Sequence, residues 1–218
     1  MPRIIDILLS LLALLVLLPL FIPIVIILLL TGEHKVFYLQ TRVGYKNKDF
    51  KIIKFATMLS NSANMGSGSL TLKNDPRVLP FGSFLRKTKI NELPQILNII
   101  IGDMSIVGPR PQMQIDFDKY SDEVKRKIYN VRPGLTGIGS IVFRDEESLI
   151  SLAAENENPH DFYKRVISPY KGKLELWYHS HRSVFLDSQL IFITAWAIVY
   201  SETRLYKKWF KDLPKRNF

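Results

Sequence analysis

The chain contains no cysteine and only four histidines among its 218 residues. Without cysteine it forms no disulfide and performs no thiolate chemistry. Acidic residues are also scarce, because 20 of them face 30 lysines and arginines, which leaves a net charge of +10. Such an excess predicts anionic partners: nucleic acid, acidic lipid headgroups or phosphorylated substrates. The length accommodates one folded domain in addition to a membrane segment.

Charged residues are missing altogether from Ile7 to Leu30, an apolar run long enough to cross a bilayer core as a helix. No small-residue cleavage site follows it, which argues against a signal peptide. Pro19 lies near its middle, where it removes a backbone donor and favours a bend. A spanning helix and a re-entrant helix bent at Pro19 are both compatible with this pattern. We favour the re-entrant form, which returns both ends to the same face of the membrane.

The stretch from Thr88 to Pro111 combines helix signals with basic residues. Asn91 is a good N-cap and Gly102 a good C-terminal cap, which predicts a short buried helix between them. A buried strand from Met104 to Val107 should follow. Two prolines then flank Arg110, whose planar guanidinium suits phosphate oxygens. With three basic residues just upstream, the helix N-terminus should favour an anion.

Other patterns predict an α+β fold with short strands. Hydrophobic periodicity and turn residues predict the following elements: a β-hairpin from Val36–Gln40 and Phe50–Phe55, helices at Gly82–Lys87, Ser121–Tyr129, Ser148–Ala154 and Asp187–Tyr200, and a strand at Ile138–Phe143. The run Ser60–Ser69 is rich in Ser, Asn and Gly and reads as a loop. Trp196, Tyr200 and the lysines that follow suit an amphipathic segment at a membrane interface, and packing against the core is the alternative.

Several motifs in order resemble the bacterial sugar transferases, the monotopic phosphoglycosyl transferases. They are Gln40-Thr41-Arg42-Val43-Gly44, Lys54-Phe55, Thr57-Met58, Glu92-Leu93-Pro94-Gln95, Asn98, Gly102-Asp103-Met104-Ser105, Val107-Gly108-Pro109-Arg110-Pro111 and Arg132-Pro133-Gly134-Leu135-Thr136-Gly137. The N-terminal apolar segment matches as well. The resemblance therefore covers nearly the whole chain.

The resemblance implies a transferase that moves a sugar 1-phosphate from a UDP-sugar to polyprenyl (undecaprenyl) phosphate and releases UMP, the first membrane step of glycan assembly. It implies a re-entrant membrane helix over residues 1–34 and a catalytic domain over residues 35–218 with a C-terminal interfacial helix. This domain would lie on the cytoplasmic face of the bacterial inner membrane. Mg²⁺ is the expected cofactor, membrane lipid is an expected partner, and a homodimer is left open.

The resemblance also assigns roles to residues of this sequence. Glu92 and Asn91 occupy the catalytic and metal-binding positions. The substrate-binding candidates are Lys54, Asp75, Arg77, Arg86, Gln95, Asp103, Arg110, Arg132 and Arg144. From local chemistry alone, a structural turn with a surface ion pair is the preferred interpretation of Asp75 and Arg77.

The chain departs from the family pattern where the chemistry is expected. The family normally has Asp at the position of Asn91, and that Asp attacks the sugar-bearing phosphate. An amide is a very weak nucleophile, so either another route operates, or the Asn is engineered, or the site is inactive. Ala56 replaces a basic residue, Leu18 replaces the serine of a Ser-Pro bend, and the run Arg144–Glu147 is also unusual. We favour a natural subgroup, with Asp145 or Glu146 as a candidate second carboxylate.

Two other classes of function remain from the sequence. A membrane-anchored homologue without activity would retain a nucleotide-sugar or polyprenyl-phosphate site. Nucleic-acid binding depends on charge alone, and the apolar N-terminus argues against it. We therefore expect no nucleic-acid partner.

Overall fold

A computed structural model describes residues 1–66, 70–72, 74–200 and 205–218. The first element, α1 (Arg3–Leu30), is helical throughout although it contains Pro19 and Pro23. At 1.5 Å per residue its 28 residues extend over about 42 Å. By length and composition α1 can cross a membrane. The bend predicted at Pro19 stays a prediction.

The predicted hairpin is confirmed. The strands β1 (Phe37–Val43) and β2 (Asp49–Phe55) are antiparallel, with Phe37 opposite Phe55 and Val43 opposite Asp49. Lys46 and Asn47 both have φ of 57° in the turn between them. This left-handed conformation is one that Asn tolerates better than most residues.

The other elements are short. They are, in chain order, α2 (Pro80–Lys87), α3 (Gln95–Ile101), β3 (Ser105–Val107), α4 (Gln114–Phe117), α5 (Asp122–Lys127), β4 (Gly134–Thr136), α6 (Ile138–Val142), α7 (Glu146–Ala153), α8 (Pro159–Phe162), α9 (Ser168–His181), α10 (Val184–Val199) and α11 (Leu205–Trp209). A π-helical turn, Tyr163–Ile167, joins α8 to α9. Helices and short strands together make the α+β class that the sequence predicts.

The main hydrophobic core lies where α6, α9 and α10 meet. Ile138, Leu174 and Leu190 are completely buried there. The strands β3 and β4 run parallel beside this core, with Ser105 opposite Gly134. Gly108 follows β3 and must be a glycine, because a Cβ there would lie 2.3 Å from the carbonyl oxygen of Arg132. This close approach fixes the turn that carries Arg110.

Two predictions about local structure are wrong. The run Ile138–Phe143 is the helix α6 rather than a strand, because a short apolar run has no periodicity to separate the two, and packing against α9 and α10 decides. Asn91 is not an N-cap: it lies inside the 3₁₀ turn Ile90–Glu92. Pro94 has no N–H to donate to the preceding turn, so the α-helix starts only at Gln95.

The predicted cap at Gly102 is confirmed, and two other helix ends follow local preferences. Gly102 caps α3 with φ of 115°. The Ser121 side chain caps α5 by accepting the backbone N–H of Val124. Glu146 and Glu147 lie in the first turn of α7, where the helix dipole favours acids. Part of the predicted loop Ser60–Ser69 lies outside the described residues.

Candidate active site

A cavity of about 1570 Å³ opens between α1, the hairpin, the 3₁₀ turn Ile90–Glu92 and α10. Basic residues outnumber acidic ones in its lining, nine to five. The basic ones, which we call the basic wall, are Arg42, Lys54, Arg77, Arg86, Lys87, Lys89, Arg110, Arg144 and Lys171. The helices α1 and α10 line the cavity with apolar side chains, which we call the apolar wall. The apolar residues that these helices contribute are Leu9, Ala13, Leu17, Ile191, Ala195 and Ile198.

Glu92 lies within this cavity, and its carboxylate is paired with two cations. Its Oε1 atom is 3.0 Å from Arg110 Nη2, which donates a hydrogen bond, and 3.5 Å from Lys54 Nζ. The Glu92 side chain is only 16% exposed, so these charges are screened less than a surface pair would be. Lys54 reaches it from β2, and Arg110 reaches it from the turn after β3.

These contacts set the charge of the site. Burial tends to raise the pKa of the Glu92 carboxyl, but the charges of Arg110 and Lys54 outweigh it and hold the pKa well below its usual range. Burial lowers the pKa of Lys54 to about 7, against the attraction of Glu92. Glu92 is therefore ionised at neutral pH. Lys54 changes its charge there, and an anionic ligand would favour its protonated form.

A hydrogen bond to its backbone fixes the position of Arg110. The Tyr129 hydroxyl donates to the carbonyl oxygen of Arg110 at 2.9 Å and accepts the backbone N–H of Gln112 at 2.9 Å. Pro109 and Pro111 restrict the turn further. The guanidinium is 36% exposed, so its remaining N–H groups face the cavity and are available to an anion.

Asn91, beside Glu92, also lines the cavity. It is 5% exposed, and its Oδ1 atom is buried without a hydrogen-bond partner in the part of the chain that the structure describes. An unpaired buried acceptor is costly unless a ligand or water satisfies it. Asn91 is therefore placed to accept a hydrogen bond or to contribute one oxygen to a cation.

The structure brings most of the predicted site residues together. Those that line the cavity are Lys54, Asp75, Arg77, Arg86, Asn91, Glu92, Arg110 and Arg144. Gln95, Asp103 and Arg132 are not among its lining residues. Arg132 donates to the carbonyl oxygen of Gly102 at 2.8 Å and stacks on Tyr45, while Asp103 accepts from Asn98. Gln95 is 3% exposed. Substrate binding by these three residues stays a prediction.

Asp75 and Arg77 line the cavity but bind mainly each other. Arg77 Nη2 lies 2.6 Å from Asp75 Oδ2, and Arg77 Nε donates to Asp75 Oδ1 at 2.9 Å. The Arg77 guanidinium also donates to three carbonyl oxygens of the preceding loop, those of Ser62, Met65 and Leu70. The pair therefore holds this loop against the cavity wall.

The two candidate second carboxylates have other partners. Asp145 binds Arg216 at 3.0 Å and is half exposed. Glu146 lines the cavity, but both of its carboxylate oxygens accept from Lys171 Nζ, at 2.7 and 2.8 Å. Neither is positioned as a free carboxylate beside Glu92.

Arg42 and Lys89 belong to the same basic wall but are not among the substrate-binding residues that the resemblance assigns. Burial, together with the charge of Arg110, lowers the pKa of Arg42 to about 10. The sequence contained a signal for Arg42, because at the strand period of two Gln40 and Arg42 lie on one face of β1. In the structure Arg42 Nε donates a hydrogen bond to Gln40 Oε1. Lys89 precedes the 3₁₀ turn with φ of 61°, which the sequence does not indicate.

The residues present fit Mg²⁺ only in combination with a substrate. No group of three or more His, Asp or Glu side chains suited to a metal occurs among the described residues. Glu92 and the unpaired Oδ1 of Asn91 supply one carboxylate and one amide oxygen. Mg²⁺ is commonly held by one or two carboxylates and by substrate phosphates, which this donor set matches.

Comparisons with known proteins match this site to a family. The family model described as bacterial sugar transferase matches residues 1–201. The exopolysaccharide production protein ExoY of Sinorhizobium fredii is 38% identical over 163 residues, 68% of this chain and 72% of the relative. The exopolysaccharide production protein PSS of Rhizobium leguminosarum bv. phaseoli is 32% identical over 199 residues, 89% of this chain and 92% of the relative.

A longer relative carries the reaction in its name. The UDP-glucose:undecaprenyl-phosphate glucose-1-phosphate transferase of Escherichia coli is 32% identical over 191 residues, which are 87% of this chain and 38% of that protein. The family match extends over most of the sequence and includes Glu92, Arg110 and the cavity around them. The chain therefore belongs to the bacterial sugar transferase family.

Proposed function

We propose that this protein transfers a sugar 1-phosphate from a UDP-sugar to undecaprenyl phosphate or a similar polyprenyl phosphate and releases UMP, as a membrane step in exopolysaccharide assembly. The observation that carries the proposal is one cavity with a basic wall around Glu92 and an apolar wall from α1 and α10. Relatives named as exopolysaccharide production proteins and as undecaprenyl-phosphate glucose phosphotransferases support it.

The basic wall suits the diphosphate of the donor. Arg110, Lys54 and Lys89 surround a single carboxylate, so positive charge exceeds negative charge at this point. The planar fork of Arg110 can bind two phosphate oxygens at once. When phosphate oxygens bind Arg110, Lys54 and Lys89, Glu92 shares these cations with them. The pKa of the Glu92 carboxyl then rises towards its usual range.

The apolar wall suits the acceptor. Leu9, Ala13 and Leu17 of α1 face the same cavity as Ile191 and Ala195 of α10. An isoprenoid chain can therefore lie between the two helices while its phosphate reaches the basic wall. The basic and apolar walls line one cavity of about 1570 Å³, so the donor diphosphate and the acceptor phosphate can meet there, which a direct transfer requires.

With Asn91 in the usual nucleophile position, we propose direct transfer. An oxygen of the polyprenyl phosphate forms a bond to the sugar-bearing phosphorus, and the bond from that phosphorus to the UMP oxygen breaks. UMP leaves with the electron pair, and Arg110 and Lys54 stabilise the charge that it acquires. The acceptor phosphate is largely dianionic at neutral pH, so no strong base is needed. Mg²⁺, held by Glu92 and Asn91, would neutralise diphosphate charge.

For the membrane, we propose that α1 enters and leaves on the same face. Arg3 donates to the carbonyl oxygen of Ile100 at 3.0 Å, and the Asp6 carboxylate accepts from Ser105 Oγ at 2.8 Å. At the other end, Ile24 and Leu28 are buried in a cluster with Phe55 and Leu85. Both ends of α1 therefore contact the same folded body, whereas a helix crossing about 30 Å of hydrocarbon would separate them.

The C-terminal helices provide a second surface for the membrane interface. Phe192 stacks on Trp196 and on Trp209, and Trp196 stacks on Tyr200. All four rings are exposed to a large extent, at 39–53%. With the lysines of α11, they form the mixture of aromatic and basic side chains that favours a bilayer interface.

The transferase proposal is tested by UMP release. The full chain in lipid vesicles is incubated with UDP-sugars, Mg²⁺ and undecaprenyl phosphate, and UMP and the lipid-linked product are measured. We expect product only with both substrates present. Tight UDP-sugar binding without UMP release for any donor would favour the inactive binding homologue. Loss of activity in EDTA, restored by Mg²⁺, tests the cofactor.

The topology proposal is tested by cysteine labelling, since the chain has no cysteine of its own. Single cysteines replace Pro2 and Lys48, and a membrane-impermeant maleimide is applied to intact cells and to inverted vesicles. We expect both positions to be protected in cells and labelled in inverted vesicles. Labelling of residue 2 alone in intact cells would mean that α1 spans the membrane.

A further inference from the structure

Residues 205–218, which we call the C-terminal tail, lie beyond the family match, since that match ends at residue 201. The tail runs along α9 and is bound to it at two points. The Trp177 indole donates to Asp212 Oδ2 at 2.9 Å, and the Tyr170 hydroxyl donates to the carbonyl oxygen of Pro214 at 2.8 Å. These hydrogen bonds fix the path of the tail as far as Pro214.

After Pro214 the tail reaches the turn between α6 and α7. Arg216 Nη1 donates to both carboxylate oxygens of Asp145, at 3.2 and 3.0 Å. The guanidinium carbon of Arg216 lies 5.5 Å from the centre of the Phe143 ring, and Phe218 stacks on the same ring with 6.4 Å between ring centres. Asp145 is half exposed, but the Arg216 side chain is only 19% exposed. The tail therefore covers this turn with an ion pair and with ring contacts.

Lys171 of α9 holds the same turn from another direction. Its ammonium group donates to both oxygens of Glu146, at 2.7 and 2.8 Å, and lies 5.3 Å from the centre of the Phe143 ring. Phe143 is 4% exposed and is in contact with one cation from α9 and one from the tail. Cations at such distances are attracted to an aromatic ring. The turn is therefore clamped between Lys171 and Arg216.

Arg144 lies inside this clamped turn and lines the cavity. The residues on either side of it, Phe143 and Asp145, are the two that Arg216 contacts. Among the described residues Arg144 has no ion pair of its own, so its guanidinium is available to phosphate oxygens. The run Arg144–Glu147 departs from the family pattern, and it is a segment outside the family match that holds it.

We propose that Arg216 is a positioning residue: by binding Asp145 and covering Phe143 it fixes the backbone on both sides of Arg144 and so aims the Arg144 guanidinium at a phosphate group of a substrate. For its kinetic consequences the inference rests on the proposed function. Both the UDP-sugar and the polyprenyl phosphate carry phosphate, so the two substrates are measured separately. The tail itself touches neither substrate in this assignment and acts through Arg144.

The kinetic test compares Arg216→Gln with Arg165→Gln, a matched control that breaks an exposed arginine–glutamate pair outside the cavity lining. We expect Arg216→Gln to raise KM about fivefold with kcat changed less than about twofold, and the substrate whose KM rises is the one that Arg144 binds. In an Arg144→Gln chain, Arg216→Gln should raise KM less than about twofold further. Unchanged KM for both substrates, an equal effect in the control, or full additivity with Arg144→Gln would overturn the assignment.

A second measurement needs no activity. Hydrogen exchange of the full chain in lipid vesicles, read by mass spectrometry, reports how often the backbone amides of residues 143–147 open. We expect Arg216→Gln to speed exchange of this turn about fivefold, the upper range for breaking one partly exposed ion pair, and Asp145→Asn, which removes the other partner, to do the same. Exchange of the β1–β2 hairpin, the internal reference, should not change.

Arg165→Gln should leave exchange of the turn at the wild-type rate. Wild-type exchange of the turn in both Arg216→Gln and Asp145→Asn would overturn the clamping of the turn by the tail, and the positioning role with it. Absence of UMP release from the wild type, together with faster exchange of the turn in these two variants, would instead overturn the proposed function and leave the clamp in place.

Discussion

Two glutamates with little exposure to solvent, Glu92 and Glu175, differ in charge. Glu92 pairs with the Arg110 guanidinium and with Lys54. Glu175, on α9, has no ion pair in the described part of the chain, because Lys171, one turn earlier on the same helix, is bound to Glu146. Burial tends to raise the pKa of both carboxyls. The difference shows that the number of unshared cations, rather than burial, decides which acid is ionised.

The two environments suit two tasks. The ionised carboxylate of Glu92 can release its paired cations to incoming phosphates, and it can contribute an oxygen to Mg²⁺. A neutral carboxyl on α9 adds no negative charge to this basic region. Substitutions that change the charge or the shape of these groups should therefore impair transfer, and the following variants test this.

The largest effect is expected from Glu92→Gln. The amide keeps the shape of the side chain but leaves Arg110, Lys54 and Lys89 without a counter-charge and offers a poor metal ligand. We expect UMP release to fall on the order of a thousandfold. Glu123→Gln, an exposed change on α5, is the matched control. Turnover within a few-fold of the wild type would remove Glu92 from the chemistry.

Much of the site around Glu92 was predictable from the sequence. Glu92, Arg110 and Lys54 were selected from short motifs, because such motifs keep the reacting groups in a fixed order along the chain. Gly102 and the hairpin turn were predictable from local conformational preference. The neutral state of Glu175 was not, because it depends on burial in the folded protein and on a Lys171 already bound to Glu146.

Local preference failed where tertiary packing or a neighbour competed with it. Asn91 has the side chain of an N-cap, yet Pro94 delays the α-helix and leaves Asn91 buried in the preceding turn. The strand-forming residues of Ile138–Val142 form a helix because α9 and α10 pack against it. Neither outcome follows from residue type alone.

Arg110→Lys should have the next largest effect. The lysine keeps the charge and can still pair with Glu92, but it loses the fork that binds two oxygens in one plane. We expect kcat/KM for the UDP-sugar to fall about thirtyfold, with a smaller change in Tm. Arg126→Lys on the exposed side of α5 provides the control. If kcat/KM stays unchanged, Arg110 does not bind the donor.

Lys54 should produce a dependence on pH. Burial lowers its pKa to about 7, so the ammonium form that binds phosphate is lost as pH rises through this value. We expect kcat/KM for the donor to decline about tenfold between pH 6 and 8. In Lys54→Arg the side chain stays charged over this range, so the decline of kcat/KM should disappear. The same decline in both chains would assign it to another group.

The smallest effect is expected from Asn91→Asp, and it decides between direct transfer and a covalent route. A carboxylate at residue 91 would be buried beside ionised Glu92, and repulsion between them would raise the pKa of the pair. We therefore expect Asn91→Asp to change kcat by less than about tenfold. Intact-protein mass spectrometry after incubation with UDP-sugar alone should show no sugar-phosphate adduct on the natural chain, whose mass also verifies that Asn91 has not deamidated. An adduct mapped to residue 91 of the natural chain, or turnover that appears only once Asp is present, would show that this position is the nucleophile, and Glu92 would then assist a covalent intermediate instead of a direct attack by the acceptor phosphate.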